Sequence, residues 1–228
     1  MTDFIKLRER MVRLHLKRRG IRDKRVLAAM LAVPRERFVR EGLEEFAYED
    51  SALPIEQEQT ISQPYIVAAM VEAAEVRPGD HVLEVGAGSG YSAAVLGQIA
   101  KQVIAIERHS ALAKLAAARM ATLGYHNVDV RAGDGTRGAP EDAPFDAILV
   151  AAGGPYIPGT LKEQLKIGGI LIIPVGDPGE QKLCKVMRIG QDRYYEENLG
   201  AVMFVPLIGA HGWQEDGSRA ASGGGASK

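Results

Sequence analysis

The stretch that most constrains this chain is His81-Val82-Leu83-Glu84-Val85-Gly86-Ala87-Gly88-Ser89-Gly90. Val82, Leu83 and Val85 have strand character, so the run predicts a short buried strand entering a glycine loop and then a helix from about Tyr91. Gly86, Gly88 and Gly90 let the backbone turn tightly and offer bare amides to a ligand at a helix N-terminus. The plain alternative is a strand-to-helix turn that binds nothing. The spacing is GxGxG, not the GxGxxG of pyrophosphate-binding dinucleotide folds.

The next strand narrows the choice. Tyr91–Ala100 reads as a helix and Gln102–Ile106 as a second strand, with Glu107 at its end, 17 positions past Gly90. An acid there can accept both ribose hydroxyls of an adenosine ligand, and a free carboxylate disfavours a 2′-phosphate. S-adenosylmethionine (SAM) is an adenosine without pyrophosphate. Its methionine end carries a carboxylate, an ammonium and a sulfonium, and Glu84 inside the motif can help hold that cationic portion.

The rest of the chain fits an α/β sheet. Residues 110–123 predict a helix stopped by Gly124, Val128–Ala132 a third strand, and Phe145–Ala151 a fourth, apolar as a two-sided buried parallel strand should be. Asp134, between Gly133 and Gly135, stands where an adenine ring would lie; it either accepts from the exocyclic amine or makes an Asx turn. Leu161–Lys166 reads as a helix ended by Gly168-Gly169, and Ile170–Val175 as strand five. Cys184–Ile189 and Val202–Leu207 read as an antiparallel pair joined by a polar segment, Gly190–Gly200. Residues 214–228 read as a flexible tail.

Upstream, Phe4, Leu7, Met11 and Leu14 recur at helical spacing, predicting one amphipathic helix over 3–19 that ends at Gly20. Asp23 stands as N-cap of a second helix closed by Pro34, and Arg35–Val39 as a short turn. Ser62 reads as the cap of the helix Ile66–Ala74, with Pro64 in its first turn. Together these segments form a helical cap over 1–75, on a SAM-binding core over 76–213 of a single domain.

Bulk properties exclude several classes. A net charge of −1 gives no overall pull toward nucleic acid or anionic membrane. Charge is uneven, however: residues 1–25 hold ten Lys/Arg against three Asp/Glu, and residues 41–58 hold seven Asp/Glu and no Lys or Arg. Solvated faces are the plain reading of both blocks. The single Cys184, read as an inert core thiol mid-strand, excludes an internal disulfide and fits a reducing cytoplasm. No apolar run approaches the ~20 residues that span a bilayer. The basic N-terminus lacks the apolar region of a signal peptide. The five histidines lack metal-ligand spacing among themselves or with Cys184.

Over residues 5–213 the motifs resemble one family, the protein-L-isoaspartate (D-aspartate) O-methyltransferases. They are 23–30 with Val33-Pro34-Arg35-Glu36-Arg37-Phe38-Val39, then Gln59-Thr60-Ile61-Ser62-Gln63-Pro64, Val82–Tyr91, Gly133-Asp134-Gly135, Phe145-Asp146-Ala147-Ile148, 164–169 and Phe204-Val205-Pro206-Leu207. The resemblance implies a SAM-dependent methyltransferase fold, Rossmann-like and three-layered, with a mostly parallel sheet ending in an antiparallel pair. It implies Ser62 as the active-site hydroxyl beside the SAM methyl. SAM contacts are implied from Glu84, Gly86, Ala87, Gly88, Ser89, Gly90, Glu107, Arg108, Asp134 and Gly135, and substrate contacts from Ile61, Gln63, Val205, Pro206 and Leu207. The implied activity methylates the free carboxylate of isoaspartyl residues in damaged proteins, with D-aspartyl residues as a further acceptor, by a monomer working without metal, nucleic acid or membrane. Where the family shows a Thr-Ala-Ala-type run after strand four, this chain has Ala151-Ala152-Gly153-Gly154, which gives that loop more freedom. A methyltransferase acting on RNA or a small molecule, and a non-catalytic SAM-binding module, are the alternative readings.

Overall fold

The computed structural model describes residues 2–219 of the chain. The cap opens with α1 (Phe4–Met11), whose Asp3 accepts from the Lys6 amide. The helix does not run regularly to 19 as its periodicity predicts: a wide π-turn follows over Val12–Leu16, then a 3-10 turn over Lys17–Arg19 ending at left-handed Gly20. The widened turn brings Met11, Val12 and Leu16 all into the core, while Leu14 is only half-buried. α2 (Lys24–Ala32) is capped by Asp23, which accepts from the Arg25 and Val26 amides.

A short hairpin follows, β1 (Leu53–Pro54) against β2 (Thr60–Ile61), leading into α3 (Pro64–Ala73). Ser62 is not the cap of this helix. Gln63 occupies the cap position without a side-chain bond, because Pro64 starts the first turn and itself removes one amide that would need a partner.

The core then alternates: β3 (His81–Val85), α4 (Tyr91–Gly97), β4 (Gln102–Glu107), α5 (Ser110–Leu123), β5 (Val128–Ala132), β6 (Phe145–Val150), α6 (Gly159–Glu163) and β7 (Leu165–Asp177), before β8 (Glu180–Gly190) and β9 (Arg193–Val202). The seven-stranded sheet has the order β5-β4-β3-β6-β7-β8-β9. It is parallel through β7, and β8 and β9 are added antiparallel. Alternate strand residues feed two cores. Val82, Val103, Ala147 and Ile172 face α3, α4 and the cap, whereas Leu83, Ile104, Ile148 and Leu171 face Leu161 of α6 and Leu207.

The C-terminal half departs from the sequence reading in five places. Lys166–Gly169 is not a helix end but a bulge inside β7, where register jumps from Phe145–Leu165 to Ala147–Ile170. The last strand is Arg193–Val202, most of it within the segment Gly190–Gly200 that reads as a polar linker; its alternation is hidden because this edge strand is exposed along nearly its whole length. Past Val202, the residues Met203–Leu207 are not a ladder strand and return to the end of β6, where Pro206 bridges Gly153. Cys184 is only partly buried rather than a core thiol. Residues 214–219 are held: Gln214 donates to the Ser218 carbonyl, Arg219 pairs with Asp177 at 2.7 Å, and Glu215 pairs with Arg108 at 2.9 Å. The remainder of the expected tail, 220–228, lies outside the described residues.

Cap and core are joined by Arg35, which is fully buried. Its Nε donates to the Ala47 carbonyl at 2.7 Å, its Nη2 to the Ser62 carbonyl at 2.9 Å, and its guanidinium lies 4.7 Å from the Tyr91 ring centroid on α4. Replacing Arg35 by Met should strand both carbonyls and lower the unfolding free energy by roughly 2–3 kcal/mol. Urea denaturation checks this; a loss below about 0.5 kcal/mol, typical of surface changes, contradicts the tie.

Candidate active site

The chain leaves β3, moves outward through β4 and β5, and returns to β6 on the other side of β3. A crevice opens at such a reversal, beyond the C-terminal strand ends. Here its floor is Gly86 after β3 and Ala151 after β6, joined by the Ala151 amide donating to the Val85 carbonyl at 2.8 Å. Gly86, Gly88 and Gly90 all have positive φ, as the sequence loop requires. A Cβ at Gly135 would stand 2.4 Å from Val85 Cγ1, so this glycine lets the next loop approach the strand end.

Glu107 organises the loop. It is buried, its Oε2 accepts from the Gly88 amide at 2.9 Å, and its Oε1 accepts from the His109 amide at 3.0 Å. Each carboxylate oxygen can accept more than once, so the same group is able to take ribose hydroxyls while holding the loop. Three contiguous hollows meet here, and Thr60 and Ala151 line all of them. The first, of about 530 Å³, has Glu107, Arg108, Gly135 and Val205–Ile208 in its walls. The second, of about 350 Å³, lies between the glycine loop and Glu84, Tyr91, Ser92, Ile61 and Ser62. The third is a groove of about 1440 Å³ between Arg19, Asp50–Ala52, Ser62 and Gln63 on one side and Ala201–Val205 on the other.

Ser62 is the one expected site residue that lines both the second hollow and the large groove without belonging to the floor. Its backbone is fixed from behind by Arg35, and Gln63 is fixed by donating its Nε2 to the Asp50 carbonyl at 2.8 Å. Asp50 also pairs with Arg19, whose guanidinium stacks 3.6 Å from the Tyr65 ring centroid. The basic and acidic blocks therefore touch at the mouth of the groove instead of forming two separate solvated faces.

Glu84 is fully buried, and its Oε2 has no partner among the described residues. Burial pushes this carboxyl up to about 8, the Ser92 hydroxyl opposes that, and the Glu107 charge adds to it. An orphaned, buried acid in the wall of the second hollow fits a cationic ligand end.

Asp134 makes an Asx turn. Its Oδ1 accepts from the Thr136 amide at 3.0 Å and hydroxyl at 2.6 Å, and its Oδ2 accepts from the Ala210 amide at 2.9 Å. Burial acts to raise its carboxyl, but the bonds from Ala210 and Thr136 bring it below its ordinary value. Only Gly135 of the pair lines the first hollow. The two glycines after β6 serve closeness, not looseness: a Cβ at Gly153 would stand 2.2 Å from Gln181 Nε2, and the Gly153 carbonyl accepts from Trp213 Nε1 at 3.0 Å. Among the described residues no group of three or more His, Cys, Asp or Glu could hold a metal, and no helix is long and apolar enough to cross a membrane.

Residue reading alone passed over Arg35, Ala152, Ser92 and the Arg19–Asp50 pair. Arg35 and Thr60 do lie inside the two segments most distinctive of the resemblance, which was the available signal. Nothing local marks Ala152 or Arg19.

Residues 7–212 match the family described as Protein-L-isoaspartate(D-aspartate) O-methyltransferase (PCMT). The chain is 57% identical over 206 residues to a Protein-L-isoaspartate O-methyltransferase of Rhodopseudomonas palustris, covering 90% of this chain and 94% of that protein. It belongs to the protein-L-isoaspartate O-methyltransferase family. A relative from Brucella anthropi is 54% identical over 216 residues, covering 94% of this chain and 99% of that one. Among solved structures, a protein-L-isoaspartate O-methyltransferase superposes with TM-score 0.80 at 30% identity, over 87% of this chain and 65% of the other. A Plasmodium falciparum structure described as a beta-aspartate methyltransferase (PCMT) in complex with S-adenosyl-L-homocysteine gives TM-score 0.77 at 26% identity, over 91% of this chain and 99% of the other. The family's activity is SAM-dependent methylation of isoaspartyl residues for protein repair, and SAM is the methyl donor.

Glu107→Ala in this family member should raise the SAM dissociation constant roughly 10- to 100-fold, the loss of one or two hydrogen bonds to a charged group. Titration calorimetry checks this; an unchanged constant contradicts the role of Glu107 in the donor site.

Proposed function

We propose that the adenosine of SAM occupies the hollow walled by Glu107, Arg108 and Gly135, and that its methionine end lies along Gly86–Gly90 toward Glu84. The isoaspartyl peptide lies in the large groove, with backbone contacts from Ile61–Gln63 and Val205-Pro206-Leu207. What carries this reading is the position of Ser62 in the walls of both the second hollow and the groove. The enzyme works as one domain over residues 1–213, as a monomer and in the cytoplasm. In support of the reducing compartment, the single cysteine has no partner for an internal disulfide.

SAM supplies a methyl group on a sulfonium, a good leaving group. The residues here supply alignment and the treatment of charge. An isoaspartyl carboxylate has an ordinary pKa near 3.9 and is ionised at neutral pH, so no general base is needed. Ser62 donates a hydrogen bond that steadies one carboxylate oxygen without taking its nucleophilic lone pair. Holding attacking oxygen and methyl in line is worth ~7–11 kcal/mol of barrier. The fixed Ser62 backbone serves that end. Once methylated, the ester is attacked by the neighbouring backbone amide nitrogen and expels methanol, and water reopens the resulting succinimide partly as normal aspartate, which begins the repair.

Two measurements test the reading. An isoaspartyl peptide should gain a base-labile methyl ester while the matching aspartyl peptide gains none; equal labelling of both, or stable methyl groups on RNA, contradicts it. Ser62→Ala should lower kcat about tenfold to a hundredfold. Its melting temperature should be unchanged, because Ser62 caps no helix. A folded variant with unaltered kcat returns Ser62 to a wall residue.

A further inference from the structure

Glu84 sits at the fourth position of β3 with 1% of its surface exposed, and its Oε2 is unpartnered in the wall of the second hollow. The groups around it are Ser92 and Tyr91 on α4, Ser89 in the glycine loop, Ser62 from the cap and Glu107 at the end of β4. None of these is a cation. Two guanidiniums border this region without balancing Glu84: Arg35 holds the Ala47 and Ser62 carbonyls and lies over Tyr91, with its Nη1 buried and unpartnered among the described residues, and Arg119 donates to the Ser89 carbonyl and pairs with Glu56. The Tyr91 phenol is itself pushed up by burial and stays neutral. A fully desolvated carboxyl with a second carboxylate beside it and no cation to balance it keeps its proton.

The methionine end of the donor brings in an ammonium and a sulfonium against one carboxylate, a net positive charge that is lost with the sulfonium. We infer that Glu84 is an exchangeable counter-ion for the donor: it is neutral in the free enzyme, gives its proton to solvent as SAM enters, and recovers a proton once the sulfonium has become a thioether and the product leaves. The inference rests on the donor placement given under the proposed function. It adds a discrimination between substrate and product. S-adenosylhomocysteine keeps the ammonium but has lost the sulfonium charge, so it draws less ionisation from Glu84 and is held less firmly than its shape alone dictates.

The linkage has a definite sign. A carboxyl raised to about 8 in the free enzyme and lowered in the complex makes SAM bind more tightly as pH rises. The binding constant increases up to about tenfold per pH unit and flattens above that value. The proton released per SAM approaches one near neutral pH and falls to zero about pH 9.

Titration calorimetry of the full chain with SAM, repeated in buffers of different ionisation enthalpy between about pH 6 and 9, reads the released proton directly. The expected result is near-stoichiometric release with SAM, clearly smaller release with S-adenosylhomocysteine, and loss of both the release and the pH slope in Glu84→Gln. Binding of SAM to the wild type without proton release overturns the inference and leaves the donor site standing. The same is true of equal release in Glu84→Gln. If that variant does not fold, the wild-type profile decides. Release centred near 8 supports Glu84, and release centred about two or more pH units below that overturns the assignment to Glu84. No SAM binding at all to the wild type overturns the donor-site reading together with this one.

Discussion

One buried guanidinium sets the relation between the two parts of this molecule. Arg35 comes from the cap, yet it holds the carbonyl of Ser62 and lies against Tyr91, the first residue of the helix that follows the glycine loop. Phe38 closes the same contact with its ring edge-on to Tyr91 at 5.6 Å. Unpaired, such a cation would be costly to bury; with two carbonyls and a ring face it becomes a rigid spacer. The position of Ser62 relative to the glycine loop is thus determined inside the core, not by the exposed hairpin that carries it.

The cleft uses charge sparingly. Glu107 anchors the loop by accepting two amides, and Asp134 ties the C-terminal crossing to the loop after β5. Neither is positioned as a base, which agrees with an acceptor that is already an anion. The Val205–Leu207 segment is fastened by Gly153, whose amide donates to Val205 at 2.8 Å and whose carbonyl accepts from Leu207 at 2.9 Å. This crossing connects the edge of the sheet to the glycine loop, so one segment walls both the hollow beside Glu107 and the groove.

Much of this was legible in the chain because apolar runs and glycines act locally. The β3–loop–α4 unit, β4 ending at Glu107, α5, and β5 all stand where the pattern of Val, Ile, Ala and Gly put them. Legibility failed where tertiary contacts override local pattern. Ser62 carries an obvious capping side chain, but Pro64 moves the helix start to Gln63 and leaves the serine to the cleft. β9 looks polar because an edge strand with two solvated faces needs no apolar alternation. Gly153 looks like freedom in sequence and proves to be lack of room beside Gln181. Arg35 reads as one more basic residue of a turn, and no local rule announces that it is buried.

The account depends on Ser62 standing between donor and acceptor. A crystal structure of the enzyme with S-adenosylhomocysteine and an isoaspartyl peptide measures this directly. The account predicts the isoaspartyl carboxylate within hydrogen-bond distance of Ser62 Oγ, with the thioether sulfur facing that carboxylate from the Glu84 side. A sulfur turned away from Ser62, or a peptide lying outside the groove between Gln63 and Val205, contradicts it.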